Sequence, residues 1–176
     1  ERFHARFHGR FAGPHTAFLM DRYGMTECAF ALSTQYDTPR RPGSVGVPLP
    51  GVTVRLVEST AADDGRLVDV PNGEIGEICI HGPNLFSGYW KRPEATRQTM
   101  CQGFLRSGDL ARQNPDGTVR IVGRRSVDII KTRGFKVSAV EIEECIQRHP
   151  DVQEVAVVGI PDADQGERVV AAITPV

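Results

Sequence analysis

Arg22-Tyr23-Gly24-Met25-Thr26-Glu27 sets a glycine, a hydroxyl and a carboxylate together, directly after an apolar run from Thr16 to Met20 that reads as a short buried strand. Each residue type suits a phosphate site. Glycine lets the backbone approach a ligand, threonine donates to a phosphate oxygen, and glutamate offers a hard oxygen to a divalent cation. Taken alone, the same residues also read as the start of a helix.

Upstream, Phe3, Phe7 and Phe11 recur every four residues, with Arg and His between them. That spacing predicts a basic amphipathic helix, ended by Gly13-Pro14. Such a helix suits a membrane surface or RNA, or more plainly a core-packed surface position. Downstream the pattern turns to β. Val52, Val54 and Leu56 alternate with polar residues, and Ile75 to His81 follows suit. The polar stretch from Ser59 to Asp69 reads as an exposed loop. Pro71-Asn72-Gly73 and Asn114-Pro115-Asp116-Gly117 are turn signals, the second leading into a strand from Thr118 to Val122. Pro93 suits the first turn of a short helix through Met100.

After Gly123-Arg124 the organisation changes. Ile129-Ile130-Lys131 is a short strand. Ser138 with Glu141 three residues on forms a capping box. Ile142, Cys145, Ile146 and His149 follow at helical spacing until Pro150, and Val155 to Ile160 reads as a buried strand. A β-α-β order behind a β-rich segment predicts two units meeting near Arg124–Ser126, residues 1–124 and 125–176. The fold class is mixed α/β.

Bulk composition bounds the partners. The 176 residues carry a net charge of −1, which gives no electrostatic case for nucleic acid. The 4 cysteines, Cys28, Cys79, Cys101 and Cys145, lack metal-ligand spacing and read as reduced, mostly buried small hydrophobes. No apolar run is long enough to span a membrane, and no signal segment opens the chain. An intracellular location is expected. The cytoplasm is favoured, with mitochondrion and peroxisome open because both ends look incomplete.

Other residues offer chemistry singly. Asp109, after Gly103-Phe104-Leu105-Arg106-Ser107-Gly108, has the two acceptor oxygens that a ribose diol needs, or is a turn aspartate. Arg124, at the expected seam, offers a fork of donors to phosphate or ribose, or forms a surface ion pair. Lys131, Arg133, Gly134 and Lys136 could meet an anion or simply be solvated. No dinucleotide fingerprint, phosphate-loop lysine motif, zinc-protease motif or serine-nucleophile elbow occurs.

The order of the motifs carries more than any one of them. Tyr23 to Glu27 is followed by Pro42-Gly43-Ser44-Val45-Gly46-Val47-Pro48-Leu49-Pro50-Gly51, then Gly73-Glu74-Ile75-Gly76-Glu77-Ile78. Gly88-Tyr89-Trp90 with Pro93-Glu94-Ala95-Thr96 comes next, then Gly103 to Asp109, Gly123-Arg124, Lys131 to Gly134 and Glu141-Ile142-Glu143. In order and spacing this resembles the adenylate-forming superfamily of acyl-CoA synthetases, nonribosomal-peptide adenylation domains and firefly luciferase, over essentially the whole chain. The resemblance implies the β-rich C-terminal portion of a large AMP-binding domain and the start of a small, mobile C-terminal domain.

It also implies roles. Thr26 resembles the threonine at the α-phosphate and Glu27 the Mg²⁺-binding glutamate. Tyr23, with Gly24 beside it, looks like the residue whose ring stacks near adenine. Asp109 resembles the aspartate that holds both ribose hydroxyls, and Arg124 the arginine that also reaches the ribose. Met25 and Gly46 lie where relatives shape the acyl pocket. Lys131 to Gly134 resembles the segment that swings in for thioester formation and lines the pantetheine path, so Lys131 joins Thr26 and Glu27 as a catalytic candidate. ATP, Mg²⁺, CoA and a carboxylic acid are the implied ligands.

The hinge departs from the family pattern, which favours Asp or Lys two residues after the Gly-Arg pair. Here Ser126 stands there, and Ser126, Val127 and Asp128 are all candidates. The resemblance places the phosphate loop upstream of residue 1 and the adenylation lysine downstream of Val176, so this polypeptide alone is expected to be inactive. Arg22 to Glu27, Ala31-Leu32-Ser33 and Ser126 to Thr132 look most like malonyl-CoA synthetases, with a fatty acid as the other substrate class. A peptide-synthetase adenylation domain and a non-catalytic relic are the alternatives.

Overall fold

The computed structural model describes residues 20–36, 41, 43–58 and 66–176. The Phe3–Phe11 helix, nearly all of the Thr16–Met20 strand, Pro42 and the tip of the 59–69 loop lie outside these residues. Met20 itself is described and stands outside any strand.

The first sheet is antiparallel, in the order β1 (Arg22–Met25), β2 (Ala29–Ser33), β3 (Val47–Pro48). Tyr23-Gly24-Met25 is thus itself strand rather than a loop after one, and Thr26-Glu27 opens the hairpin turn rather than a helix. Cross-strand pairing decides this: Tyr23 pairs with Leu32 and Met25 with Ala29.

A second sheet sets β4 (Thr53–Val57) beside β5 (Ile75–His81) and β5 beside β7 (Phe104–Gln113). The short β6 (Met100–Cys101) and β8 (Val119–Arg124) both pair with β7. β5 does not alternate in burial. Gly76 to Ile80 are all buried, with Ile78 and Ile80 in the core and Glu77 covered by the side chains of Arg106 and Arg125. Ile78, Ile80 and Leu105 are fully buried with Ala31 and Leu32 of β2 and Cys28 of the β1–β2 turn, forming one core across the two sheets. Each large aliphatic side chain removed from water this way contributes about 1.5–3 kcal/mol before entropy is charged against it.

Helix α1 (Pro93–Thr99) begins on its proline and ends where Met100 turns extended. The Asn114–Gly117 turn closes β7 onto β8, with Asn114 N–H donating to Thr118 O at 2.8 Å.

The C-terminal residues form two hairpins around a helix. β9 (Ile129–Thr132) pairs with β10 (Phe135–Ser138), α2 (Ala139–Ile146) follows, and β11 (Val152–Asp162) pairs with β12 (Gly166–Pro175). The sheet order is β10-β9-β12-β11. Ser138 caps α2 by accepting from Glu141 N–H at 3.1 Å. The Glu141 carboxylate does not close the box, because it pairs with Arg112 at 3.1 Å. α2 stops at Ile146, so His149 falls in a turn; the residue before Pro150 is disfavoured in helix.

β11 departs from the buried strand expected at Val155–Ile160. Val157 is buried under α2, but Val158 is 53% and Ile160 40% exposed. One face of this sheet packs on the helix and the other meets solvent. The cysteines are free; of the mostly buried set expected, Cys28 and Cys79 are buried and Cys101 half-buried, while Cys145 is exposed on α2. No helix among the described residues is long and apolar enough to cross a membrane.

Candidate active site

Asp109 owes its position to a break in register. Glu77 of β5 pairs with Leu110 of β7, yet Cys79, two residues on, pairs with Arg106. Two extra residues of β7 therefore bulge out at Ser107-Gly108-Asp109. Gly108 takes φ +76°, which only glycine adopts freely, and this lets the chain turn out of the ladder. The bulge frees backbone donors, and side chains satisfy them. Gly108 N–H donates to Glu77 Oε1 at 3.2 Å, and Asp109 N–H donates to Ser107 Oγ at 3.1 Å.

Three of the expected nucleotide residues converge on this bulge. The Tyr23 phenol donates to Asp109 Oδ2 at 2.7 Å. Arg124 Nε sits 3.0 Å from Asp109 Oδ1, placed there by the cross-strand pairing of the two residues. Burial pushes the Tyr23 phenol up, and the Asp109 carboxylate adds to the rise while the Ser107 hydroxyl opposes it. Tyr23 therefore keeps its proton and stands as a hydrogen-bond donor to Asp109. The Arg124 side chain is 61% exposed against 11% for Asp109, so the arginine stands at the open, solvent side of the pair. A carboxylate held from below, with a cation beside it, suits a vicinal diol above.

Glu27 lies in the β1–β2 turn. Its Oε1 accepts from the Tyr89 phenol at 2.7 Å, a bond that leads the causes raising the Tyr89 pKa. Thr26 is exposed beside it. No cluster of three or more metal-ligating side chains occurs among the described residues. A single fixed carboxylate with a neighbouring hydroxyl nevertheless fits Mg²⁺, which keeps most of its shell for phosphate and water. Gly24 lacks room for any side chain: a Cβ there would meet Ala29 O at 1.7 Å. Its glycine serves the β1–β2 approach. Gly46, at φ +85°, is pressed on the Ser33 carbonyl in the same way and lines a cavity of about 390 Å³ with Ser33, Thr34, Ser44 and Thr118. Met25 does not line that cavity; it packs on the core.

The turn between β8 and β9 contains the three hinge candidates. Asp128 is fastened on every side: its Oδ2 accepts from Arg124 N–H at 2.7 Å, its N–H donates to Arg124 O at 2.9 Å, and its carbonyl accepts from Ala139 N–H at 2.8 Å. Ser126 and Val127 are exposed. Lys131 and Gly134 stand on the β9–β10 hairpin, where Arg133 and Gly134 both have positive φ, as a tight two-residue turn requires. Lys131 N–H donates to Glu167 at 2.5 Å, and Lys131 makes no contact with Tyr23, Asp109 or Glu27.

Residues 1–90, just over half of the chain, match the AMP-binding enzyme family. The chain belongs to that family. Residues 141–176 of this AMP-binding enzyme chain match the family's C-terminal domain. The chain is 44% identical to the mitochondrial malonate–CoA ligase of Homo sapiens, covering 89% of this chain and 30% of that protein. It is 42% identical to a long-chain-fatty-acid–CoA ligase of Escherichia coli O6:H1, over 86% of this chain and 26% of that one. Among solved structures, ATP-bound MatB from Rhodopseudomonas palustris superposes with a TM-score of 0.81 at 42% identity, over 90% of this chain and 30% of that chain. This AMP-binding chain thus spans less than a third of these proteins' length.

Two side chains of the site fall within the ordered motifs, but the sequence assigns neither of them a role. Tyr89 looks like one aromatic of a Gly-Tyr-Trp run, and Glu77 like the polar half of an alternating strand. Only the fold shows that they hold Glu27 and the Asp109 bulge.

Proposed function

We propose that this AMP-binding chain is the C-terminal part of the nucleotide site of an ATP-dependent acyl-CoA ligase. The enzyme activates a carboxylic acid as its acyl-adenylate and passes the acyl group to CoA. The observation that carries this is the convergence of Tyr23, Asp109 and Arg124 at one bulge. Residues 1–124 belong to the large domain and 125–176 to the small mobile one.

Asp109 accepts from both ribose hydroxyls, and Arg124 donates to the same sugar. Thr26 donates to the α-phosphate, and Glu27, oriented by Tyr89, holds Mg²⁺. Mg²⁺ held by Glu27 would supply charge neutralisation at the phosphates during transfer. The substrate carboxylate attacks the α-phosphate and expels pyrophosphate. The CoA thiol then attacks the acyl carbonyl and AMP leaves. For that second step the small domain turns, bringing the Lys131–Gly134 hairpin to the site. Because Asp128 is fastened, the turn flexes at Ser126 and Val127.

Relatives named for malonate and for long-chain fatty acids support an acid substrate. Likeness to MatB and to the human malonate–CoA ligase favours malonate. The reading places the enzyme inside the cell, where ATP and CoA are available. An ATP–pyrophosphate exchange screen on the full-length protein tests it. Exchange with malonate and not with palmitate is expected. Exchange with fatty acids alone overturns malonate, and exchange with no acid overturns the ligase reading.

A further inference from the structure

Glu77 is 1% exposed, and its side-chain hydrogen bonds and ion pairs go to Arg106, Gly108 and Arg125, none of them assigned to the nucleotide, the metal or the acid. It is a buried carboxylate, costly to bury unless paired. Its partners explain why it is there. Oε1 accepts from Gly108 N–H at 3.2 Å, and Oε2 accepts from Arg106 Nη2 and lies 3.5 Å from Arg125 Nη1. Gly108 is the residue immediately before Asp109, and its carbonyl accepts from Arg125 N–H at 2.9 Å. Arg125 opens the turn that leads to Ser126 and Val127. Arg106 Nε is buried without a partner among the described residues, so Glu77 is what keeps that guanidinium in place.

We infer that Glu77 is a positioning residue that sets the ribose-binding carboxylate of Asp109 through the Gly108 bulge and ties that bulge to the interdomain turn through Arg125. This rests on the ligase reading above. A bulge with free N–H groups has several conformations of similar energy. A carboxylate that accepts from Gly108 selects the one that lifts Asp109 towards Tyr23 and Arg124. The same carboxylate draws Arg125 to the sheet, so ribose placement and the orientation of the turn share one anchor.

The test uses the full-length protein. Glu77→Gln keeps an oxygen for Gly108 N–H and keeps the side-chain volume, but it removes the charge that holds Arg106 and Arg125. Loss of a charge-assisted bond to a ligand-positioning element predicts a rise of about fivefold or more in KM for ATP, with KM for the acid changed less than about twofold. A merely structural role lowers kcat through the folded fraction and leaves both KM values alone; that result overturns the inference. Arg125→Lys, which keeps a cation near Glu77, is expected to retain the wild-type KM for ATP. If the glutamine variant does not fold, Glu77→Asp, which keeps the charge and shortens its reach, gives the same reading with the same two outcomes. Asp109→Asn separates the levels. If it leaves KM for ATP unchanged, the nucleotide site itself is misassigned. If it raises KM and Glu77→Gln does not, only the role of Glu77 fails.

Discussion

Tyr23 and Asp109 lie 86 residues apart in the chain, and the Tyr23 phenol donates to Asp109 Oδ2 at 2.7 Å. The bond joins the first sheet to the second at the point where β7 bulges. It leaves Asp109 Oδ1 facing Arg124 and the open side of the site. Tyr23→Phe removes the donor and leaves a buried carboxylate oxygen unpaired. The expected costs are about 1–2 kcal/mol of stability in urea unfolding and a several-fold rise in KM for ATP.

Alkaline pH should act on the same core. Burial raises the Tyr23 phenol above its ordinary 10.0 and pushes the Cys79 thiol from 9.0 up to about 12, with Glu77 adding to the latter. Between the two values of each group the folded state holds a proton that the unfolded chain has released. The contribution of these two groups is therefore constant below pH 9 and is lost as pH rises, from 9.0 for Cys79 and from 10.0 for Tyr23, at about 1.4 kcal/mol per unit per group. Urea midpoints measured from pH 7 to 11 check this, and Tyr23→Phe should flatten the part of the decline above its ordinary value of 10.0.

The Gly24→Ala variant should fail through packing. Its Cβ would lie 1.7 Å from the Ala29 carbonyl, and a backbone carbonyl cannot swing aside as a side chain can. Overpacking of this kind costs about 3 kcal/mol, read as a drop in melting temperature. Because Glu27 hangs on the same hairpin, the Mg²⁺ concentration for half-maximal exchange should rise in whatever fraction folds.

How far the residues themselves disclose this arrangement depends on the range of the interaction that fixes each part. Local chemistry is legible. Asn114–Gly117 closes a hairpin, Pro93 opens α1 and Ser138 caps α2, because each acts within a few residues. Thr26, Glu27, Asp109 and Arg124 stand out by their order along the chain. The bond from Tyr23 to Asp109 is not legible, since it depends on how two sheets meet. Glu77 misleads for a related reason. In an alternating strand it reads as solvent-facing, whereas β5 is central and the carboxylate faces inward to a bulge on its neighbour. The solvent-facing side of β11 is equally a matter of what covers the sheet, which Val155–Ile160 alone does not specify.

Thiol chemistry separates the cysteines. Cys145 is exposed and should react with a disulfide reagent in the folded protein, whereas Cys28 and Cys79 are buried, with thiols raised by that burial, and should react only on unfolding. Equal rates for all of them under native conditions would contradict the packing of the β1–β2 turn and of β5.

The most direct measurement is discrimination between ATP and 2′-deoxy-ATP in pyrophosphate exchange by the full-length protein, wild type against Asp109→Asn. If Asp109 holds the ribose hydroxyls, the wild type prefers ATP by about tenfold or more in kcat/KM, as expected for a hydrogen bond to a charged group, and the variant loses that preference. An undiminished preference in Asp109→Asn, with normal folding, would contradict the assignment of the Tyr23–Asp109–Arg124 convergence as the ribose site.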